Sequence, residues 1–188
     1  MRELILKMSM SLDGFVSDLA GTNQWMYGSD PESKAWAVAT AWNASLHIMG
    51  SRSFQVMARF WPTSTMEFAP PMNQIPKAVF SRQGPAFLRS VQTTGNWAEA
   101  YVASGDLAEE IAKLKAGEGK PILAHGGVAF ARSLVARGLV DQFILGVHPV
   151  ALGQGLPLFS ELAAPMPLKL VSSKAFASGA MAQIYRPA

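Results

Sequence analysis

The sequence predicts an α/β fold: a central, mostly parallel sheet with helices on both faces and an antiparallel hairpin at its carboxy-terminal edge. Short apolar runs alternate with helical patterns along the chain, the order that builds parallel sheets. Glycine- or serine-bearing turns follow several of those runs, at 50–53, 81–82 and 126–127. Two alternating segments joined by Ser178-Gly179 close the chain as a hairpin.

Each element has a local reason. Residues 4–10 are an apolar run expected as a buried first strand. Ser11-Leu12-Asp13-Gly14 reads as a turn, and 15–29 as a long loop carrying Gly21, Asn23, Trp25 and Gly28. Asp30-Pro31 starts a helix running to about residue 43, since Asp caps free N–H groups and Pro fits the first helical position. Trp36, Ala39 and Trp42 are expected on its buried face. Residues 46–49 form the second strand, and 51–59 a helix. The Pro-rich stretch 61–76 is expected as loop, 77–81 as the third strand and 101–103 as another, while 82–99 carry no clear pattern. Asp106 caps a helix to about residue 116, with Leu107, Ile111 and Leu114 on one face and Gly117 and Gly119 at its end. Residues 121–124 are a strand, 128–137 a helix closed by Gly138, and 141–150 a long strand before the tight loop Gly153-Gln154-Gly155. Residues 168–176 and 180–186 pair.

Composition narrows the function. The 188 residues suit one domain, and 49% hydrophobic content with 15% charge gives material for a substantial core. Lys and Arg are scattered and the net charge is +3, so no basic stripe for nucleic acid is expected. No apolar run approaches the ~20 residues of a membrane span. The run at 4–10 contains Lys7 and is too short for a secretory signal, so a soluble cytoplasmic protein is expected. Cys is absent, which removes disulfides, thiolate sites and cysteine nucleophiles. No His and carboxylate have ligand spacing, so no metal is expected.

Three junctions share one character. In Met49-Gly50-Ser51-Arg52-Ser53-Phe54, a glycine after a strand lets a phosphate approach a helix N-terminus, with Ser51, Arg52 and Ser53 adding donors. Lys77-Ala78-Val79-Phe80-Ser81-Arg82 delivers Ser81 and the Arg82 fork to a strand end. Ile122-Leu123-Ala124-His125-Gly126-Gly127 brings two glycines to a third. Each alone also fits an ordinary strand-to-helix turn.

These motifs occur in order with Ser11-Leu12-Asp13-Gly14, Gly138-Leu139-Val140-Asp141-Gln142-Phe143 and the stretch 148–159 that starts at His148-Pro149. The set resembles the dihydrofolate-reductase-like superfamily. Within it, the chain is similar to the reductase domain at the C-terminus of the bifunctional riboflavin-biosynthesis deaminase/reductase and to its stand-alone bacterial relatives. The resemblance implies a three-layer reductase-like domain over residues 1–188 that holds NADPH across the strand ends. Gly50, Ser51, Arg52, Ser53, Gly126 and Gly127 would hold the pyrophosphate, Ser81 and Arg82 would lie near the adenosine 2′-phosphate, and Trp25 would lie beside the cofactor. It further implies a homodimer and hydride transfer to a pyrimidine, pterin or related small molecule. The riboflavin-pathway reduction of 5-amino-6-(5-phosphoribosylamino)uracil is one named form. The alternative is a non-catalytic nucleotide- or small-molecule-binding protein on the same fold.

Two departures matter. Relatives often carry Arg directly after the glycine at 50, where this chain has Ser51, so Arg82 bears more of the NADPH preference. Folate-reducing members place a carboxylate early in the first helix, where this chain has Ser33, with Glu32 one residue and about 100° away. Asn23, Glu32 and Trp36 are the expected substrate contacts. His125, at a strand end, is a candidate proton donor, with a part-buried, backbone-bonded His as the other reading. Asp13 is a second candidate acid, or simply a turn residue.

Overall fold

The computed structural model describes residues 1–26 and 30–188. Gly28 lies outside them. The first strand, β1 (Leu4–Ser11), is central. It pairs in parallel with β6 (Ile122–Ala124) on one side and β7 (Gln142–His148) on the other. Beyond β6 come β3 (Leu46–Gly50), β4 (Lys77–Phe80) and β5 (Tyr101–Ala103), all parallel. Beyond β7, β10 (Met181–Pro187) and β9 (Leu168–Ala175) add antiparallel. The eight-stranded order is β5-β4-β3-β6-β1-β7-β10-β9, which is the α/β sheet with a terminal antiparallel hairpin that the sequence predicts.

The main helices are α1 (Pro31–Trp42), α2 (Ser51–Phe60), α5 (Leu107–Lys115) and α6 (Val128–Ala136). Asp30 caps α1 by accepting from the Glu32 and Ser33 amides at 2.9 and 3.1 Å. Its second oxygen accepts from the Ser178 amide at 3.0 Å, tying the helix to the terminal hairpin. Asp106 caps α5 through the Ala108 and Glu109 amides.

One core lies on the sheet face that bears Leu4, Leu6, Ile48, Ala124 and Phe143, and includes Ala131, Leu134 and Val135 of α6 and Ile111 of α5. A second gathers Met49, Phe54, Met72, Phe87 and Trp97. Each such fully buried side chain contributes ~1.5–3 kcal/mol.

Several expectations need correction. Trp36, Ala39 and Trp42 do not share a buried face: Ala39 is exposed, and Trp42 is 38% exposed. A spacing of three rotates about 60° per step, so Trp42 points about 120° from Trp36. The stretch 61–76 is not all loop, because α3 (Ala69–Gln74) occupies part of it. Pro70 and Pro71 fall in its first turn, where missing N–H groups cost no hydrogen bond. Residues 82–99 hold α4 (Ala86–Ser90) and a 3₁₀ turn, Gly95–Trp97, whose Trp is fully buried. The expected loop at 15–29 contains β2 (Phe15–Ser17), paired with β8 (Leu156–Pro157), and a 3₁₀ turn, Gln24–Met26.

Candidate functional site

The three glycine- and serine-bearing junctions stand side by side, because β4, β3 and β6 are neighbours and run parallel. The Gly50 amide donates to the Gly126 carbonyl at 3.1 Å, joining two of them. A Cβ on Gly50 would lie 2.9 Å from Phe130 Cβ, and one on Gly127 would lie 2.8 Å from Ser53 Oγ. Gly126 has φ +86°, a conformation that favours glycine, and the Gly126–Gly127 peptide is cis. The glycines thus let α6 start against the end of β3.

Both helices at this seam lack side-chain caps. Gly50 precedes α2 and Gly127 precedes α6, and neither N-terminus is closed by a side-chain oxygen. Their first-turn amides remain available to an anion. Ser81 is buried and its hydroxyl accepts from the Gln83 amide at 3.3 Å. Arg82 and Arg52 are exposed at adjacent strand ends and form no ion pair among the described residues.

The same end of the sheet continues across β6, β1 and β7. Trp25 packs edge-on against His148 at the end of β7, with ring centroids 5.6 Å apart, and its buried indole N–H has no acceptor among the described residues. Asn23 is half-buried nearby in the chain, and its carbonyl accepts from the Met26 amide.

Asp13 is a latch. Its carboxylate accepts from Ser11 Oγ at 2.6 Å, the Leu152 amide at 3.1 Å and the Gly153 amide at 2.7 Å. The Ser11 bond, then these amides, hold its pKa below the usual carboxylate range. An ionised, bonded carboxylate is not a proton donor, which counts against the acid role expected for Asp13.

The other expected substrate contacts lie elsewhere. Glu32 is exposed and pairs with Lys174 at 2.8 Å. Trp36 packs against Phe176 at 6.0 Å and beside Ile5, Leu123 and Ile144. It borders a cavity of about 160 Å³ that also touches Pro121 and Gln142, at the starts of β6 and β7 rather than at their groove ends.

One feature of the sheet face beneath went unread in the sequence. His47 pairs with Lys77 and with Leu123, and Lys7 with Ile144, while Leu6 pairs with Ala124. Strand alternation then puts Lys77, His47, His125, Lys7 and His148 on one sheet face. The His47 and His125 rings meet at 4.6 Å. His47 Nε2 contacts the Ala41 carbonyl at 3.1 Å, whereas His47 Nδ1 and His125 Nε2 are buried without partners among the described residues. Burial pushes Lys7 and Lys77 down to about 8. His47 falls to about 4, chiefly by burial, and Lys77 lowers it further against the pull of the Ala41 carbonyl. Burial, then His47, Lys7 and Lys77, drive His125 well below its ordinary value. His125 is therefore neutral at pH 7, contrary to the expected donor near neutrality. The available signal was one charged residue, Lys7, inside an apolar strand run.

The fold is that of a reductase-like α/β domain. The chain belongs to the RibD C-terminal domain family, whose model matches residues 2–182. It is 30% identical over 184 residues to the uncharacterized protein YyaP of Bacillus subtilis, covering 98% of this chain and 94% of that one. Among solved structures it is similar to a Shewanella sp. PV-4 protein assigned to riboflavin biosynthesis, with TM-score 0.75, 19% identity and 99% of each chain covered. It is also similar to a Thermotoga maritima diaminohydroxyphosphoribosylaminopyrimidine deaminase/5-amino-6-(5-phosphoribosylamino)uracil reductase, with TM-score 0.71 and 16% identity. That match covers all of this chain and 57% of the other. Among the described residues, no helix is long and apolar enough to cross a membrane, and no cluster of His, Asp and Glu could hold a metal ion.

Proposed function

We propose that residues 1–188 act as one NADPH-dependent reductase domain that passes a hydride to a small heterocycle of pyrimidine or pterin type, in the cytoplasm and as a homodimer. One observation carries the reading: two uncapped helix N-termini, at Gly50 and Gly127, meet beside exposed arginines at the ends of β3, β4 and β6. A dinucleotide has the matching chemistry, a diphosphate for the amides and a 2′-phosphate for Arg82. When bound, NADPH supplies the hydride. Gly50 to Ser53 and Gly126-Gly127 would hold its phosphates, and Trp25, edge-on to His148, would lie beside it. Trp25 and the floor residues exclude water from the reacting face. The proton that follows comes from solvent, since Asp13 is engaged and His125 is neutral. Reduction of the phosphoribosylamino-uracil named for the Thermotoga protein is one form of this reading. The exposed strand β9, with Leu170 and Val171 about half exposed, supports pairing of two copies.

Quenching of Trp25 fluorescence on NADPH titration tests this. Saturable binding is expected, with Arg82→Ala weakening NADPH about tenfold and NADH little. Absence of binding at about 1 mM sinks the reading. The engaged Asp13 and neutral His125 favour one other reading, a nucleotide-binding module without turnover. Oxidation of bound NADPH by any pyrimidine or pterin excludes it.

A further inference from the structure

A second hollow lies under α1, toward the sheet end opposite Gly50 and Gly127. It is the cavity of about 160 Å³ that Trp36 borders. Its floor is Ile5, Leu123, Ile144 and Ile184, which share one sheet face: Ile5 pairs with Leu123, and Ile144 with Ile184. The next positions on that face along β1 and β6 are Lys7 and His125, and neither lines the cavity, which ends short of the basic row. Trp36 is held against Phe176 and forms part of the opposite wall. An apolar void of this size is unfavourable when empty, because its lining loses contacts on one side. A volume of about 150 Å³ accommodates one benzene ring.

The residues that line the cavity carry no charge, and three of them carry polar side chains. The Thr40 hydroxyl is spent, donating to the Trp36 carbonyl at 2.8 Å. The carboxamides of Asn43 and Gln142 form no hydrogen bond among the described residues, and each offers a donor NH2 and an acceptor oxygen. Gln142 starts β7 on the same face as Ile144 and is half-buried. Asn43 ends α1 and is exposed, so it marks where the cavity meets solvent. Three chemistries then compare unequally. Water satisfies the amides but leaves the isoleucines facing it. A hydrocarbon covers the isoleucines but displaces water from Gln142 without replacing its hydrogen bonds. An anion brings a charge into a neutral, half-apolar hollow with no cation to meet it.

We propose that this cavity is a second binding site, separate from the dinucleotide site, for a small neutral aromatic carboxamide. Its single six-membered ring lies on the isoleucine floor, and its amide exchanges hydrogen bonds with Gln142 and Asn43. The site goes beyond the reductase reading and does not depend on it.

Benzamide, benzoate and toluene separate the cases, and the isoleucine methyl groups report the place. Of the seven isoleucines, Ile5, Ile144 and Ile184 line the cavity, whereas Ile48, Ile75, Ile111 and Ile122 do not. Methyl NMR of the NADPH-loaded protein should show benzamide shifting the first three and leaving the other four, with half-saturation at about 1 mM. Toluene should bind severalfold more weakly and benzoate more than about tenfold more weakly. Ala44→Leu fills the cavity from its wall and should abolish the benzamide shifts while NADPH binding is kept. Gln142→Leu should bring benzamide down to the affinity of toluene; where Ala44→Leu fails to fold, this half-buried position decides. The proposal is overturned if benzamide at about 10 mM leaves all three methyls unmoved, which makes the cavity a hydrated void. It is equally overturned if NADPH displaces benzamide, if benzoate binds as tightly, or if Gln142→Leu keeps the preference for benzamide over toluene. Failure of NADPH to bind removes the reductase reading, and the same titration of the free protein still decides this one.

Discussion

The four long helices begin in two different ways. α1 and α5 are closed by Asp30 and Asp106, whose side chains take up the first free amides. α2 and α6 start at Gly50 and Gly127 with no side chain over their amides. The capped pair begin away from the seam between β3 and β6, and the uncapped pair begin on it. A cap satisfies donors that would otherwise bind a ligand, so leaving it out at adjacent termini marks where a ligand is expected.

Substitutions can break this contrast. Gly50→Ala should have the largest effect. Its Cβ would meet Phe130 Cβ, part of a side-chain stem that cannot swing away, and would separate α6 from β3. Overpacking of this kind costs about 1–3 kcal/mol, and NADPH affinity should fall more than about tenfold in a fluorescence titration. Ser51→Asp should come next. It gives α2 a first-turn carboxylate, which the helix dipole tolerates, so urea denaturation should show little change while NADPH binding weakens about tenfold. Asp30→Ala should do the opposite, lowering the melting temperature by about 3–6 °C and leaving NADPH binding intact. Asp106→Ala should cost less, since the second oxygen of Asp106 meets Arg137 at 2.9 Å with both side chains about half exposed, where an ion pair contributes little, while that of Asp30 holds the part-buried Ser178 amide.

Titration sharpens the comparison further. Backbone bonds from Ser178 and Ser33 depress the Asp30 pKa, so its contribution is present above its unfolded value and is lost as pH falls through the lower folded one. Lys7 works in the other direction. Its folded pKa of about 8 lies below the ordinary 10.5, so the unfolded chain holds more protons between those values. Stability should therefore rise with pH from about 8 to about 10.5, and Lys7→Met should reduce that rise in denaturation curves taken across the range, with Lys77, likewise lowered to about 8, carrying the remainder.

The groove was legible in the sequence where local chemistry specifies it. Gly50, Gly126 and Gly127 follow apolar runs, and Asp30-Pro31 and Asp106 announce helix starts without reference to anything distant. The Trp36, Ala39 and Trp42 spacing misled because a period of three drifts off a helical face. The short strands β2 and β8 exist through pairing across more than a hundred residues, which leaves little local trace. The basic floor was hidden for the same reason: Lys7, His47, Lys77, His125 and His148 are far apart in the chain, and only the strand order lines them up.

The position of β1 has a consequence for synthesis. Its partners β6 and β7 begin at Ile122 and Gln142, so Leu4 emerges from the ribosome long before either exists. At ~5–20 residues per second, this apolar strand waits about 6–24 s unpaired. The nascent chain is a natural client for holding chaperones until then, and slowed translation before Ile122 should raise aggregation rather than reduce it.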